Sequence, residues 1–361
     1  MDNSTLLFMH IEKQVKMDIK KTIVLLVTAL LFLASCTDIR FNEQPQHEIG
    51  YTTLLCRLNT KTLATNQKVL ADSVIFQSYS YMLPKGTAWT YGTTEAKQYF
   101  NKDVIVSKVA TTGIWQDPTS PWYWPKNYAL TFFAWSLNKS NLQFPINSNT
   151  TVTCTTNGIQ ITDYNIELNK NIDLLIADIA ADKTQNENVF ATVGVPTRFR
   201  HKLSQFSATV KKSEDYPNVY FTLNNIMFNS IANTGTYSQD TDKFTVDATR
   251  TDQIFTSTDQ IVDNTAAEPV ENIEQYLYLP QTFSPGETID ISYTIGYDTD
   301  GDGNVDFTEV VTKSCELSTL FTDGEFKPGR RYVLNLIFEM NQIYWDPVVD
   351  DWEDVNYSLE L

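Results

Sequence analysis

Between Asp298 and Glu309 the sequence DTDGDGNVDFTE carries oxygen-bearing side chains at nearly every second position. Counted from Asp298, the loop offers Asp298, Asp300, Asp302, Asn304, Asp306 and Glu309 at positions one, three, five, seven, nine and twelve, with Gly303 at six and Val305 at eight. Calcium takes six to eight hard oxygens from a flexible loop, and this is the spacing by which an EF-hand wraps one ion. Position seven ligates through its carbonyl, so Asn304 would contribute main chain. Without an ion, five carboxylates crowded into one turn repel each other. The plainer alternative is a solvated hairpin turn, which Asp-Gly pairs favour in any case. The flanks separate these roles from that of a sensor. Ile289 to Tyr297 and Val310 to Leu317 read as strands, so there is no helix pair to open. The expectation is a structural calcium clip at a hairpin tip, filled even at the weak affinity of extracellular sites, with no other cofactor required.

A second chemical feature stands near the N-terminus. From Met17 the chain reads MDIKKTIVLLVTALLFLASC, in which Lys20 and Lys21 precede an apolar run from Ile23 to Leu33. Crossing a bilayer as a helix takes about 20 apolar residues, so this run reads as the core of a signal peptide and not as an anchor. Leu33-Ala34-Ser35-Cys36 resembles the bacterial lipobox, whose cysteine is acylated by fatty acid once the chain is cut before it. Residues 1–35 are then the signal peptide, with Met17 the expected start. Cys36 becomes the lipidated first residue, and 36–50 the tether to the outer membrane.

The other residue types exclude more than they offer. Asp and Glu number 44 against 27 Lys and Arg, a net charge of −17. Nucleic-acid binding rests on basic side chains neutralising phosphates, so that class of partner is excluded; solubility and self-repulsion are what an acidic surface supplies. After Cys36 only His47 and His201 remain, too little material for a histidine metal site or a nucleophile triad. His201, between Phe199 and Leu203 at period two, reads as a structural histidine held by a partner. GxSxG, HExxH and the P-loop are all missing from the sequence. The expectation is a protein that is not an enzyme. Cys56, Cys154 and Cys315 stand at unrelated spacings without a CxxC and read as buried thiols.

The elements that must position the loop are strands. In IDISYTIGY, Ile289, Ile291, Tyr293, Ile295 and Tyr297 face one way; RYVLNLIFEM places Tyr332, Leu334, Leu336, Phe338 and Met340 together; QFSATV does so with Phe206, Ala208 and Val210. Alternation bounded by turn residues is the mark of half-buried strands, and the supply of Tyr, Phe and Thr agrees. Helical spacing is at its nearest in the short NIDLLIADIA. An all-β chain of β-sandwiches follows. The polar stretch ADKTQNENVFATVGVP reads as a linker between sandwiches at 51–195 and 196–361.

The order of several segments resembles a known family. SVIFQSYSY (73–81) is followed by SPWYWPKNYALTFFAWSLN (120–138), IDLLIAD (172–178), PTRFRHKLSQFSATVK (196–211) and FKPGRRYVLNLIFEMNQIYWDPVVDDW (326–352). With the lipobox, this order resembles the fimbrillin family of minor-fimbrillin-like lipoproteins, the subunits and relatives of type V pili. The resemblance implies two β-sandwich domains of transthyretin-like topology in a cell-surface, fimbrial protein. It implies assembly with other pilus subunits by donor-strand exchange, and host or bacterial surface glycans or proteins as adhesion targets. It further implies that in a stalk subunit a protease removes the first strand after an Arg, and a C-terminal strand of the next subunit fills the groove. EIGYTTLLCR (48–57) corresponds to that first strand and Arg57 to the cleavage site; Arg40 precedes the strand, and a cut there would only sever the tether. The donor would come from VVDDWEDVNYSLEL, with Val348, Trp352 and Tyr357 as plugs. A permanently retained first strand would mark an anchor or a relative that does not polymerise.

One alternative has a different chemistry. Trp122, Tyr123 and Trp124, with Phe132, Phe133 and Trp135, could form a sugar-stacking platform in a surface glycan-binding lipoprotein. Such aromatics more often anchor a core, and burial of Trp122, Trp124 and Trp135 would remove the platform.

Overall fold

The computed structural model describes residues 48–55, 70–144, 149–185, 194–340 and 343–351, all within a compact unit that begins at His47. Cys36, Arg40, His47, Cys56, Arg57, Trp352 and Tyr357 lie outside the described residues. The described chain is almost wholly β, with one helical turn at Leu317–Leu320. No helix in it is long and apolar enough to cross a membrane.

Period-two patterning sets which residues turn inward. Along Thr288–Tyr297 the residues Ile289, Ile291, Tyr293 and Ile295 are buried, and along Ser204–Lys212 so are Phe206, Ala208 and Val210. Arg330–Phe338 buries Tyr332, Leu334, Leu336 and Phe338. Met340 departs from the expected row: the strand ends at Phe338, beyond which alternation no longer dictates orientation, and Met340 is exposed.

The first half forms a sheet in the order Ala180–Lys183, Tyr128–Ser136, Leu175–Ala177, Val195–His201, Tyr51–Leu55, Trp115–Gln116, Val104–Lys108, Phe76–Pro84 and Lys97–Gln98. Phe76–Pro84 also pairs back onto Tyr128–Ser136, from Gln77 opposite Trp135 to Pro84 opposite Tyr128, so the sheet closes on itself. Inside it Tyr51, Phe76, Phe132, Phe199 and Trp115 pack as a ring cluster, with centroids 5.3 Å apart for Phe76 and Phe199. Each such ring buried contributes about 1.5–3 kcal/mol.

Tyr128–Ser136 is buried at every residue after Tyr128. One face, with Leu130, Phe132 and Ala134, lines the closed interior; the other, with Phe133 and Trp135, faces a separate core. That second core contains Ile159, Ile161 and Tyr164 from the strand Gly158–Asn165, together with Tyr237 from Thr234–Ser238. Burial on both faces explains the run ALTFFAW, apolar except for Thr131, where a half-buried strand would alternate.

The second half is two facing sheets. One runs Glu268–Pro269, Ser204–Lys212, Arg330–Phe338, Ile343–Asp351; the other runs Thr251–Thr256, Val219–Ile231, Thr288–Tyr297, Phe307–Glu316. Between them Phe206 meets Phe228 edge-on at 4.9 Å. Both halves place their first strand parallel to a late one: Tyr51–Leu55 beside Val195–His201, and Ser204–Lys212 beside Arg330–Phe338.

The expected division at residues 195 and 196 falls inside a strand. Val195–His201 belongs to the first sheet and Ser204–Lys212 to the second, so the change occurs at Lys202 and Leu203. Part of the polar stretch read as a linker is the strand Ala180–Lys183, paired with Tyr128–Ser136. The hairpin Thr234–Ser238 and Lys243–Val246 leaves the second half to pair with Gly158–Asn165. Residues 186–193 of the polar stretch lie outside the described residues.

Candidate functional site

The first strand sits in a slot. Tyr51–Leu55 pairs in parallel with Val195–His201 from Tyr51 opposite Val195 to Leu55 opposite Phe199, and its other edge meets the short Trp115–Gln116 strand at Tyr51 alone. Just before it, Ile49 donates to Trp122 O at 2.7 Å and Val195 donates to Gly50 O at 2.7 Å. Ile49, Tyr51, Thr53 and Leu55 are buried. The Tyr51 hydroxyl donates to Ser78 Oγ at 3.0 Å, and burial pushes its pKa far up. Gly194, at φ +60°, abuts this strand so closely that a Cβ there would stand 2.9 Å from the Tyr51 carbonyl carbon. Taking the strand away would bare an apolar groove between two strand edges. The groove residues Phe199 and Trp115 carry no local signal of that role, because the parallel pairing joins segments far apart in sequence.

At the other end of the described chain, Ile343–Asp351 pairs antiparallel with Arg330–Phe338 and is an edge strand. Val348, expected as a donor-strand plug, is 40 % exposed and stands opposite Val333 in the chain's own sheet.

The acidic loop is a hairpin tip. Thr288–Tyr297 and Phe307–Glu316 pair without a shift from Thr288 opposite Glu316 to Tyr297 opposite Phe307, so strands, not helices, flank it. Asp298 is 4 % exposed, and its carboxylate accepts from the N–H of Gly301 (2.6 Å), Asp302 (3.2 Å) and Gly303 (2.8 Å). Gly301 and Gly303 adopt φ of +76° and +89°, conformations costly for residues with a side chain. Asp306 accepts from Thr299 N and Oγ1 at 2.7 and 2.6 Å, which holds its carboxyl below the usual range. Asp302 is held low in the same way by Asn304. Val305 lies against Gly296, where a Cβ would come within 3.0 Å of its methyl group. Val305 touches the sheet there while remaining 46 % exposed.

Of the six expected ligands, Asp298, Asp300 and Asp306 bring carboxylate oxygens within 4.8 Å of one another. Asp302 and Asn304 bond to each other, and Glu309 stands on the strand opposite Ile295. Calcium takes six to eight oxygens, of which these three carboxylates supply half or fewer, and Asp298 and Asp306 already accept hydrogen bonds within the loop.

The aromatic segment is divided between interior and surface. Trp124 and Trp135 are 1 % and 3 % exposed. Trp122 is half-buried, packs 4.7 Å from Phe100 and donates to Asp117 Oδ2 at 3.2 Å. Trp124 and Trp135 therefore offer no face for sugar stacking, while Trp122 stays half-buried and Tyr123 is exposed. His201 is buried with Nδ1 2.9 Å from Asp173 Oδ2, a held structural histidine. Cys154 and Cys315 are free thiols, each partly buried, and burial raises the pKa of both.

The pattern shared by fimbrillin-like proteins matches residues 80–352. The chain belongs to the fimbrillin-like family. Among solved structures, a fimbrial protein from Bacteroides vulgatus is 17 % identical with a TM-score of 0.62, over 85 % of this fimbrillin-like chain and 100 % of that one. That likeness is one of fold. The fimbrial anchor protein of Porphyromonas gingivalis aligns over 85 % of this chain and 98 % of its own at 12 % identity and a TM-score of 0.30, too low to carry an argument. Comparison with curated proteins gave no match. The matched span takes in the aromatic segment, both sheets of the second half and the acidic loop, and starts after the slotted first strand.

Proposed function

We propose that this fimbrillin-like chain is a structural or adhesive pilus component, displayed at the cell surface and held in the outer membrane through a lipid on Cys36. The observation that carries the reading is the slot of Tyr51–Leu55, a short strand whose apolar side chains fill a groove bounded by two strand edges. Unpaired backbone and bare apolar surface are costly, and an incoming strand satisfies both. Cleavage after Arg57 would free the strand, and the C-terminal segment of another subunit would replace it. Because Val348–Asp351 lies in the chain's own edge strand, donation would require that strand to detach from Arg330–Phe338 or the donor to lie after Asp351.

The acidic loop completes the reading as a calcium clip. Asp298, Asp300 and Asp306 would hold the ion, with Asp302, Asn304 and Glu309 as the further ligands proposed from the spacing. The ion would neutralise the crowded carboxylates and stiffen the hairpin tip.

Limited digestion with an Arg-specific protease, followed by mass spectrometry and a sizing column, tests the assembly role. Cleavage at Arg57 with conversion to oligomers is expected. Resistance there, or cleavage that leaves stable monomers, removes the stalk role and leaves an anchored surface lipoprotein. Incorporation of labelled palmitate, lost in Cys36→Ala, tests the anchor separately.

A further inference from the structure

The strand Phe307–Glu316 is the outer edge of its sheet, bonded to Thr288–Tyr297 on one side and to no other described strand. Natural edges are usually short, bulged or covered, because a long open edge is a template for another strand. This one is ten residues long with no shift of register. It is also where apolar exposure gathers: Val310 is 69 % exposed, Phe307 59 %, and Val305 just before it 46 %.

Its charges are arranged in a particular way. Glu309 and Lys313 are exposed, and neither forms an ion pair with another described residue. They share a face of the strand, yet four residues of strand separate them by about 13 Å, so they cannot meet within one chain. An antiparallel copy of the same strand brings them together. If two copies continue one sheet with both cores on the same side, facing residues must come from the same face. Centring that pairing on Val311 places Glu309 opposite Lys313 of the second copy, twice over, with Val311 against Val311, Val310 against Thr312, Thr308 against Ser314 and Phe307 against Cys315. Centring on Glu309 or Lys313 sets like charges against each other, and the intermediate centres leave both charges unmatched. The one like-charged approach in the favoured register is Glu316 toward Asp306, and both are already engaged, by Gly286 N–H and by Thr299.

We propose that the Phe307–Glu316 edge is an interface with a second copy of this chain, joined as an antiparallel two-fold pair centred on Val311. The two five-stranded sheets, each counting Gln260–Val262 beside Val219–Ile231, then become one continuous ten-stranded sheet across the pair, and the acidic loops come to lie at opposite ends of the seam. This contact is separate from the first-strand slot, which lies in the other half of the chain.

Because Glu309 is also among the proposed calcium ligands, sedimentation of the purified, uncleaved chain in calcium-free buffer, over a concentration series at low and high salt, tests it. A reversible dimer that weakens with salt is expected, since exposed charge pairs are screened. Glu309→Lys or Lys313→Glu alone sets like charges face to face and should raise the dimer Kd about tenfold or more. Mixing the two variants should restore association, because each then meets the opposite charge, and the double swap should behave as the unaltered chain does. A Val311→Cys variant should form a disulfide between copies at that position on mild oxidation. Monomers at every concentration overturn the proposal, as does a dimer indifferent to the single reversals, or one that fails to cross-link at 311.

Discussion

Tyr51 reaches across the closed interior to donate its hydroxyl proton to Ser78 Oγ at 3.0 Å, while its ring meets Phe76 edge-on at 5.4 Å and Phe132 at 5.9 Å. This one side chain ties the first strand to the centre of the core from an edge that has a single residue pair with Trp115–Gln116. Tyr51→Phe should cost about 1 kcal/mol, the net worth of one hydrogen bond. Tyr51→Ala should cost about 3–5 kcal/mol through the cavity it leaves. Denaturant unfolding of both variants checks the order. After Arg57 cleavage, Tyr51→Ala should also release the strand faster; equal release rates would show that the strand is retained by its backbone alone.

Asp117 gives the acid limb of stability a defined source. Burial by itself would raise its pKa, but hydrogen bonds from Thr119 Oγ1 (2.6 Å), Thr119 N (2.8 Å) and Trp122 Nε1 (3.2 Å), with Lys102 at 3.8 Å, outweigh burial and hold it below the ordinary carboxylate value. A pKa lower in the folded than in the unfolded chain adds stability that is complete above the ordinary carboxylate range and is lost as pH falls through it toward the folded value. Asp117→Asn should lower Tm at neutral pH and flatten its fall on acidification. A variant with an unchanged acid slope would assign that slope to other carboxylates.

The loop separates two roles for its aspartates. Asp298→Ala leaves the N–H groups of Gly301, Asp302 and Gly303 without their acceptor, so it should lower Tm with or without calcium. Asp300→Ala with Asp302→Ala removes only exposed bonds from Asp302 N and Asn304, so it should lower the calcium-free Tm less than Asp298→Ala does, and abolish the rise in Tm and the heat of binding on calcium addition. If calcium gives the unaltered chain neither heat nor a higher Tm, the loop is a plain hairpin turn.

Gln239 clamps the crossing hairpin. Its Oε1 accepts from Ile159 N at 2.9 Å and its Nε2 donates to Ala177 O at 2.9 Å, both in buried surroundings. Gln239→Ala strands one buried donor and one buried acceptor, at about 1–3 kcal/mol each. Unfolding should become less stable by a few kcal/mol, and amide exchange at Ile159 should quicken more than at Phe206 in the other half. Equal change at both positions would mean that the hairpin does not hold the halves together locally.

Much of the architecture was legible in short stretches. Ile289 to Tyr297 and Phe206 to Val210 turn the expected side chains inward, because the two-residue period of a strand is a property of the backbone. The turn at Asp298 to Asp306 was likewise legible, since glycines at positive φ and self-bonding aspartates act within a few residues. In the segment 181–196 the polar composition did not show that its first residues, through Lys183 opposite Leu130, belong to a strand; residues 186–193 lie outside the described residues.

By itself, then, the sequence determined what is local: the strands, the hairpin loop and its ligand spacing, and the resemblance carried by YWP, FFA and the Arg330-to-Phe338 segment. The tertiary structure alone decided which strand lies beside which. It set Tyr51 against Val195, closed the first sheet through Gln77 and Trp135, and buried Trp124 and Trp135. It also left Phe307–Glu316 as an open edge. The physical reason is that a strand's pattern specifies which face is apolar but not which partner satisfies its backbone. That choice is made when distant segments compete to bury those faces together, and it depends on the whole chain at once.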